Sequence, residues 1–406
     1  MGLQKLLKGD KYIWGIYMVL CIISILEIYS ATSMLTYKTS DYFAPMIKHA
    51  LMLFTGTLLM LGIQNVHYKW FKIIGLPLLV ISFFLLIYTL LAGIAANDAK
   101  RWTTILGITF QPSELAKLGM IIFTAFVLAN KQRPDGVEKN TFKIIASVTG
   151  IFCALIFSEN LSTTLLLGAV IVGMMMVGRV ELKKIFGTIG ILILLGGLGI
   201  FVAPKIPGLE RVSVWEKRIV NFIQKEDIPA YQIKIDDDNF QEQHARLAIA
   251  NGGAFGKFWG NSREREVLPQ AYSDFIYAII IEEMGFVGGI FVMFLYISLL
   301  IRAGMIARKC TRAFPAFLIL GTAMMIVFQA LINMAVAVGL IPVTGQPLPL
   351  ISRGGTSIII TCVYFGIILS ISRSATAKGI EEEKQQTGSE TEIPQDLSAP
   401  NPNMNL

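Results

Sequence analysis

One carboxylate stands out among the residues that could take part in chemistry. Asp274 follows the stretch "LPQAYS" and begins a long apolar segment. A carboxylate at a helix start is favoured by the helix dipole, but here it would also lie at the edge of a low-dielectric region. A residue that only caps a helix needs no such surroundings, so Asp274 is a candidate for a chemical role, with simple capping as the alternative.

Glu114 and Lys117, in the stretch "QPSELAK" (111–117), form a second group. Pro112 favours a helix start, which puts Glu114 in the first turn near the positive end of the dipole. Lys117 is three residues further on and therefore shares a helix face with Glu114. A lysine one turn inside a membrane helix is costly and usually marks a functional site. The alternative is that the pair only holds two helices together.

The stretch "PVTGQPLPLISRGGTS" (342–357) combines rigid, bare backbone with a cation, because it has three prolines, three glycines and Arg353. Prolines stiffen an irregular loop whose backbone groups would otherwise be unsatisfied near lipid. Gly354 and Gly355 allow close approach of a ligand or a helix, and Arg353 can bind an anion through two parallel hydrogen bonds. The alternative is a loop that only braces the helices beside it. Arg101, next to a tryptophan, is a similar cation or an ordinary interface anchor.

These residues lie between apolar segments that are long enough to cross a membrane. The chain has 406 residues, of which 54% are hydrophobic and 16% charged, whereas soluble domains carry about 25% charge. A membrane-spanning helix needs about 20 apolar residues. The sequence therefore predicts an all-α polytopic membrane protein with ten transmembrane helices, at 12–32, 45–64, 73–95, 112–130, 142–158, 161–178, 184–204, 274–301, 314–340 and 357–376.

The basic residues predict which helix ends face the cytoplasm. Lysines and arginines gather before the first helix and in alternate loops, including the loop after the eighth helix with Arg308, Lys309 and Arg312. Both termini are therefore expected in the cytoplasm, with Asp274 and the stretch 342–357 on the outer face. The net charge of +7 reflects this asymmetry, whereas a nucleic-acid surface would cluster its charge on a soluble domain.

A large extracytoplasmic loop, 205–273, is predicted between the seventh and eighth helices, and a disordered cytoplasmic tail at 379–406. Within the loop, "SVWEKRIVNFI" has the spacing of an amphipathic surface helix, and the aspartates 236–238 are a solvated run or a cation site. Glycines in "GGAFGKFWGNS" allow close backbone approach, as a phosphate-bearing ligand would need. The cysteines and histidines have neither metal-ligand nor disulfide spacing.

Three stretches resemble the signature segments of the SEDS family (shape, elongation, division and sporulation), which includes the RodA, FtsW and SpoVE proteins. They are "QPSELAK" (111–117), "LPQAYSDFIYAIIIEEMG" (268–285) and "NMAVAVGLIPVTGQPLPLISRGGTS" (333–357). The resemblance runs through all ten predicted helices, so 1–378 is expected to form one SEDS membrane domain. The segment "GKFWGNS" is nearer to the FtsW branch, which acts in cell division. The sequence departs from the family pattern at Asn160, Gln346 and Arg353.

The resemblance implies an inverting peptidoglycan glycosyltransferase that polymerises lipid II into β-1,4 glycan strands and releases undecaprenyl pyrophosphate. In that reaction Asp274 would be the general base, and the outer-face cations would balance charge on the leaving pyrophosphate. The candidate substrate-binding residues are Arg101, Gln111, Ser113, Glu114, Lys117, Pro349, Ser352, Arg353, Gly354 and Gly355. A divalent cation, Mg²⁺ or Mn²⁺, is left open as a cofactor because no set of ligands is readable from the sequence.

The resemblance also implies partners and a location. The partners would be lipid II and the nascent glycan, a class B penicillin-binding protein and other membrane proteins of the division machinery, with no nucleic acid. The location would be the bacterial cytoplasmic (inner) membrane, with the active site on its outer face. Two other functions stay open. One is a lipid II flippase, for which Gln329 and Asn333 would be the mid-membrane polar residues, and the other is a non-catalytic scaffold for the penicillin-binding protein.

Overall fold

The computed structural model describes residues 7–31, 43–96, 99–105, 108–133, 136–157, 160–191, 220, 239–269 and 271–390. Within them the chain is mostly helical. The helices are α1 (Lys11–Ala31), α2 (Ala44–Ile63), α3 (Tyr68–Ala92), α4 (Pro112–Asn130), α5 (Thr141–Phe157), α6 (Leu161–Val177), α7 (182–191), α8 (Phe240–Gly252), α9 (Ile276–Lys309), α10 (Ala313–Ala337) and α11 (Gly355–Glu390). Seven of these described helices, α1 to α4 and α9 to α11, are long and apolar enough to cross a membrane. The chain is therefore a multi-pass membrane protein.

The ten predicted spans correspond to helices α1 to α7 and α9 to α11, but ten crossings stay a prediction. Helices α5 and α6 are apolar but have only 17 residues each. Helix α7 is described only as far as residue 191, so its full length is not defined. The predicted bounds 112–130 are confirmed for α4, where Pro112 marks the start.

The predicted large loop between α7 and α9 is described in part. Its described portion contains helix α8 and a short 3₁₀ turn at Glu264–Glu266. The expected surface helix at 213–223 lies outside the described residues except for Val220, and so do the aspartates 236–238.

Two small antiparallel sheets depart from the all-α prediction. The strands are β1 (Ile94–Ala96), β2 (Ala99–Ile105), β3 (Ile108–Phe110), β4 (Gln132–Arg133) and β5 (Gly136–Val137). The first three form one sheet in the order β1-β2-β3, with Thr103 opposite Phe110, and β4 pairs with β5. Isoleucine, threonine and aromatic residues recur in β2 and β3, and these side chains fit a pleated strand. The larger sheet leads directly into the start of α4.

Helix α10 lies at the centre of the bundle. It packs against α9, α4, α6 and α11. Ile319, Ala323 and Val327 are fully buried on it, and their spacing of four residues keeps them on one face. Two polar residues of the same helix, Gln329 and Asn333, are also buried. Polar groups in this position need hydrogen-bond partners.

Helix α9 is interrupted at Gly285, whose backbone has a φ of +73°. The glycine-rich turn after α8 docks on this interruption, where the N–H of Phe258 donates to the carbonyl oxygen of Glu283 at 2.8 Å. A Cβ on Gly256 would lie 2.2 Å from that same carbonyl oxygen. The turn therefore needs glycine for a backbone-to-backbone contact with α9. This contact gives the glycines of the turn a packing role, and close approach of a phosphate-bearing ligand stays a prediction.

Helix α11 continues to Glu390, beyond its apolar part at Gly355–Ala375. The helix thus extends over 379–390 of the predicted tail, where glutamate, lysine and glutamine favour a helix, and disorder of the tail stays a prediction. Residues 391–406 lie outside the described part of the chain.

Replacing Gly285 by alanine should destabilise the protein, whereas replacing Gly304 in the same helix should not. A Cβ at Gly285 would meet the carbonyl oxygen of Ala254 at 2.3 Å, and one at Gly304 would meet nothing within 4 Å. Backbone strain alone should make Gly285→Ala cost about 1–3 kcal/mol, while Gly304→Ala should be neutral or stabilising. The measurement is the apparent unfolding temperature of each purified variant in detergent. Equal temperatures for the two variants would contradict the docking of the α8 turn on α9.

Candidate active site

Asp274 lies at the end of a non-helical segment, directly before helix α9. The N-cap residue is Phe275 and the helix begins at Ile276, so Asp274 precedes the helix and is not its N-cap. Its side chain is half-buried. Oδ1 of Asp274 accepts a hydrogen bond from Ser273 Oγ at 3.0 Å. A partly accessible carboxylate of this kind can take a proton from a hydroxyl that reaches it.

Residues 339–354, here called the proline loop, join α10 to α11 and lie against the segment that carries the carboxylate. The backbone N–H of Arg353 donates to the carbonyl oxygen of Tyr272 at 2.9 Å. The hydroxyl of Ser352 donates to the carbonyl oxygen of Ser273 at 2.6 Å. The proline loop is therefore tied to the two residues directly before the carboxylate.

Asn333 of α10 connects the backbone of Asp274 to the proline loop. Its Nδ2 donates to the carbonyl oxygens of Asp274 and Gln346, each at 2.8 Å. The next loop residue back, Gly345, has a φ of +67°, and a Cβ there would lie 3.7 Å from Asp274 Oδ2. Bare backbone thus faces the carboxylate, so no side chain of that residue crowds it.

Three further side chains hold carbonyl groups of the proline loop. The contacts are Gln329 Nε2 to Pro347 O at 3.0 Å, Tyr296 Oη to Pro349 O at 2.5 Å, and Ser24 Oγ to Leu350 O at 2.7 Å. Irregular backbone at membrane depth requires such partners, because lipid offers none. Sequence reasoning missed Tyr296 and Ser24, since nothing in a sequence shows which carbonyl group a distant hydroxyl will reach.

Lys117 is fully buried in α4, and its charge is paired. Its Nζ lies 2.7 Å from Glu114 Oε1 and 3.2 Å from Gln329 Oε1. Because Gln329 also holds Pro347, the Glu114–Lys117 pair joins α4 to α10 and through it to the proline loop. These contacts fit the alternative in which the pair holds helices together. Contact of either residue with a substrate stays a prediction.

Two departures from the SEDS pattern, Asn160 and Gln346, meet in the structure. Asn160 is the N-cap of α6, and its Oδ1 accepts a hydrogen bond from the N–H of Thr163 at 3.1 Å. Gln346 Nε2 donates to the hydroxyl of the same Thr163 at 3.0 Å. The two departures therefore form one neutral connection between α6 and the proline loop.

Arg353 is the cation that the proline loop presents next to the carboxylate segment. Its guanidinium carbon lies 5.3 Å from the ring centre of Tyr272, within cation–π distance. The side chain is half-buried. Among the described residues it makes no ion pair with a carboxylate. Arg353 is therefore a positioned cation that an incoming anion can bind.

The predicted site residues near the start of α4 have different surroundings. Gln111 is the half-buried N-cap of the helix. Ser113 is buried, and its hydroxyl has no hydrogen-bond partner in the described part of the chain. Arg101 lies on β2, and its side chain is outside what the structure describes. Of these three residues, Ser113 has the clearest unmet capacity for a polar ligand.

The remaining predicted residues belong to the proline loop or its end. Pro349 and Ser352 are buried, and their polar groups bond to protein, so a direct substrate contact is a prediction for both. Gly354 and Gly355 are half-buried at the start of α11. A Cβ on Gly355 would meet nothing within 4 Å. The space beside Gly355 is therefore open at the positive end of the α11 dipole.

The described residues bear on the divalent cation that the sequence left open as a cofactor. Among the described residues, no three His, Cys, Asp or Glu side chains form a group that could hold a metal ion. Mg²⁺ is commonly held by one or two carboxylates together with substrate phosphates. Asp274 fits that arrangement as a single carboxylate ligand. The residues thus suit a cation that arrives with a phosphate-bearing substrate better than a preformed metal centre.

Replacing Lys117 by methionine should destabilise the protein strongly, because it leaves Glu114 as an unpaired buried charge. Breaking a buried pair in this way typically costs about 3–5 kcal/mol. The double variant Lys117→Met/Glu114→Gln should recover much of the loss. Lys184→Met is the matched control, since Lys184 forms an exposed pair with Glu181 at the same spacing and 2.8 Å, and such pairs contribute about 0–1 kcal/mol. Thermal unfolding in detergent measures all four proteins, and similar losses for Lys117→Met and Lys184→Met would refute the structural role.

The chain is similar to known proteins in sequence and in structure. The family model FtsW/RodA/SpoVE, described as "Cell cycle protein", matches residues 10–377. Stage V sporulation protein E of Bacillus subtilis (strain 168) is 31% identical over 376 residues, which cover 91% of this chain and 98% of that protein. The probable peptidoglycan glycosyltransferase FtsW of Geobacter sp. (strain M18) is 30% identical over 369 residues, which cover 89% of this chain and 96% of that protein.

Solved structures share the fold. A chain from a study of the structural coordination of polymerization and crosslinking by a peptidoglycan synthase complex superposes with a TM-score of 0.69, at 24% identity, covering 90% of this chain and 98% of that one. The rod shape determining protein RodA of Thermus thermophilus superposes with a TM-score of 0.63, at 23% identity, covering 90% of this chain and 97% of that one. The chain therefore belongs to the FtsW/RodA/SpoVE family of cell cycle proteins, the SEDS family.

Proposed function

We propose that this chain is an inverting peptidoglycan glycosyltransferase that polymerises lipid II into β-1,4 glycan strands. The curated relatives named FtsW that match nearly the whole chain are described as probable peptidoglycan glycosyltransferases. The observation that carries the proposal is the half-buried Asp274 carboxylate, held by hydrogen bonds on the same frame as the unpaired cation Arg353. A base and an anion-binding group in one site are what this transfer requires.

In the proposed reaction Asp274 accepts the proton of the acceptor's GlcNAc 4-hydroxyl. The hydroxyl oxygen attacks C1 of the MurNAc at the end of the growing chain, and the bond from C1 to the pyrophosphate oxygen breaks. Attack from the side opposite the leaving group inverts C1 and gives the β-1,4 bond. General-base assistance of this kind contributes about 10²–10⁴-fold to the rate.

Negative charge grows on the undecaprenyl pyrophosphate as it leaves. Arg353 would stabilise this charge, because its guanidinium has no carboxylate partner among the described residues. Arg101 is a second candidate from the sequence, and Lys117 is a weaker one because Glu114 already balances its charge. A divalent cation that arrives with the substrate would supply further positive charge at the pyrophosphate.

We place the Asp274 end of the bundle on the outer face of the bacterial cytoplasmic membrane. Asp274 and the basic group Arg308, Lys309 and Arg312 lie at opposite ends of α9. Basic loops face the cytoplasm in multi-pass proteins. Near the basic end, Asp10 pairs with Arg302 at 2.6 Å, which ties the N-terminal segment to that side. Lipid II would therefore be used from the outer leaflet.

A class B penicillin-binding protein is the proposed protein partner, together with other membrane proteins of the division machinery. A solved chain with the same fold belongs to a peptidoglycan synthase complex that combines polymerization and crosslinking. The FtsW-named relatives favour a role in cell division, and the relative from sporulation marks a related role as the nearest alternative.

The contacts of Gln329 and Asn333 do not favour the flippase alternative. Gln329 and Asn333 were its candidates for a mid-membrane path, but their amide groups bond to carbonyl groups of the proline loop and of Asp274. They support the geometry of the candidate active site. The scaffold alternative predicts no activity of the chain itself.

The test is incubation of the purified full-length protein with lipid II, alone and with the class B penicillin-binding protein of the same organism. The predicted result is a ladder of glycan strands, seen by gel electrophoresis of labelled product. The same protein in vesicles with fluorescent lipid II reports translocation, and protein-free vesicles are the control. Translocation without polymer would establish a flippase, and neither product would leave only the scaffold.

A further inference from the structure

A cavity lies at the opposite end of the bundle from Asp274. It has a volume of about 520 Å³ and opens between the start of α3, the end of α4 and the connection from α9 to α10. Its walls include Lys72, Asn130, Thr311, Arg312 and Phe314. The volume is within the range of small-molecule sites, about 300–1,000 Å³. None of the groups that surround Asp274 takes part in this cavity.

Lys72 and Arg312, the two cations of this cavity, differ from Lys131 at the same end of the bundle because they have no carboxylate partner among the described residues. Lys131 pairs with Glu138 at 2.9 Å, and this hydrogen bond lowers the pKa of the Glu138 carboxyl. By contrast, neither Lys72 nor Arg312 forms an ion pair with any described residue. Lys72 Nζ lies 4.8 Å from the ring centre of Phe126, which holds its charge over α4. The cavity thus presents two positive charges that no described carboxylate balances.

The start of α10 adds to this positive character. Arg312 is its N-cap residue, and the cap has no side-chain hydrogen bond. The first N–H groups of a helix and its dipole favour an anion. Two unpaired cations and a helix N-terminus therefore converge on one cavity. A phosphate group is the anion that best matches a lysine, an arginine and backbone N–H groups together.

We propose that this cavity binds the phosphate of an anionic membrane phospholipid. The first turns of α3 beside Lys72 expose Trp70 and Ile73, which are 57% and 62% accessible. In a membrane protein such a surface faces the lipid, and tryptophan is frequent at the level of the headgroups. A phospholipid whose phosphate is bound in the cavity would therefore have its acyl chains next to apolar side chains. Basic pockets between helices on the cytoplasmic side are suited to such headgroups.

The test is titration of the purified full-length protein in detergent with phosphatidylglycerol or phosphatidylcholine, read by native mass spectrometry. The double variant Lys72→Gln/Arg312→Gln should bind phosphatidylglycerol at least about tenfold more weakly than the unmodified protein. The matched control is Lys139→Gln/Lys183→Gln, which removes the same charge from exposed lysines that do not line the cavity. The control should bind as the unmodified protein does.

Each other outcome would overturn the proposal. Equal weakening in the control would show charge attraction without a site, and equal binding of phosphatidylcholine would show no preference for an anionic lipid. A third arm adds inorganic phosphate. Displacement of phosphatidylglycerol by low concentrations of phosphate would identify a soluble phosphate as the ligand. Lys72 and Arg312 are exposed, so the exchanges should preserve the fold. The two single variants provide a second measurement, because each should lose part of the affinity for phosphatidylglycerol.

Discussion

The architecture of the candidate active site depends on satisfying the irregular backbone of the proline loop. Residues 339–354 leave helical geometry inside a helical membrane protein, where each unpaired carbonyl or N–H group is costly. Four side chains from three helices supply the partners: Ser24 from α1, Tyr296 from α9, and Gln329 and Asn333 from α10. The same set of bonds fixes Asp274, because Asn333 reaches its carbonyl group as well. The carboxylate and Arg353 therefore keep their relative position through the packing of the whole bundle.

Several charged residues in the described part of the chain have partners that balance their charge, and Arg353 does not. Glu114 and Lys117 are buried and balance each other, so they serve to join α4, α10 and the proline loop. Glu282 is likewise saturated, since it accepts hydrogen bonds from the N–H groups of Arg263 and Glu264. Arg353 differs, because its charge has no described carboxylate partner and its side chain is only half-buried. A substrate that carries a pyrophosphate would supply the missing negative charge.

The sequence predicted the elements with strong local signals and missed those set by distant contacts. Pro112 marks the start of α4, and its predicted bounds are confirmed. Helix α9 runs on to Lys309, beyond the predicted end at 301, because apolar composition detects the membrane crossing and not the helix that continues past it. Strands β1 to β3 were missed, since short strands between two spans have no periodic signal of their own.

Asp274 and Arg353 could be singled out from the sequence because their types are unusual for their positions, and their roles in the site stay predictions. The roles of Ser24, Tyr296 and Asn333 were not predictable, because each depends on a backbone carbonyl group far away in the sequence. Gln346 and Asn160 are similar: each departs from the family pattern alone, and only the shared contact with Thr163 shows that they act together. Packing, which no local pattern encodes, brings these groups together.

The central claim, that one carboxylate accepts the proton of the attacking sugar hydroxyl, is most directly tested with Asp274→Asn. This change keeps the shape and the backbone bonds of the residue and removes its basicity. The measurement compares the rate of glycan formation from lipid II with the affinity for lipid II, using Glu181→Gln at the opposite end of the bundle as the control variant. The account predicts a rate at least about 10²-fold lower with affinity and folding retained. A polymerisation rate equal to that of the unmodified protein would contradict it.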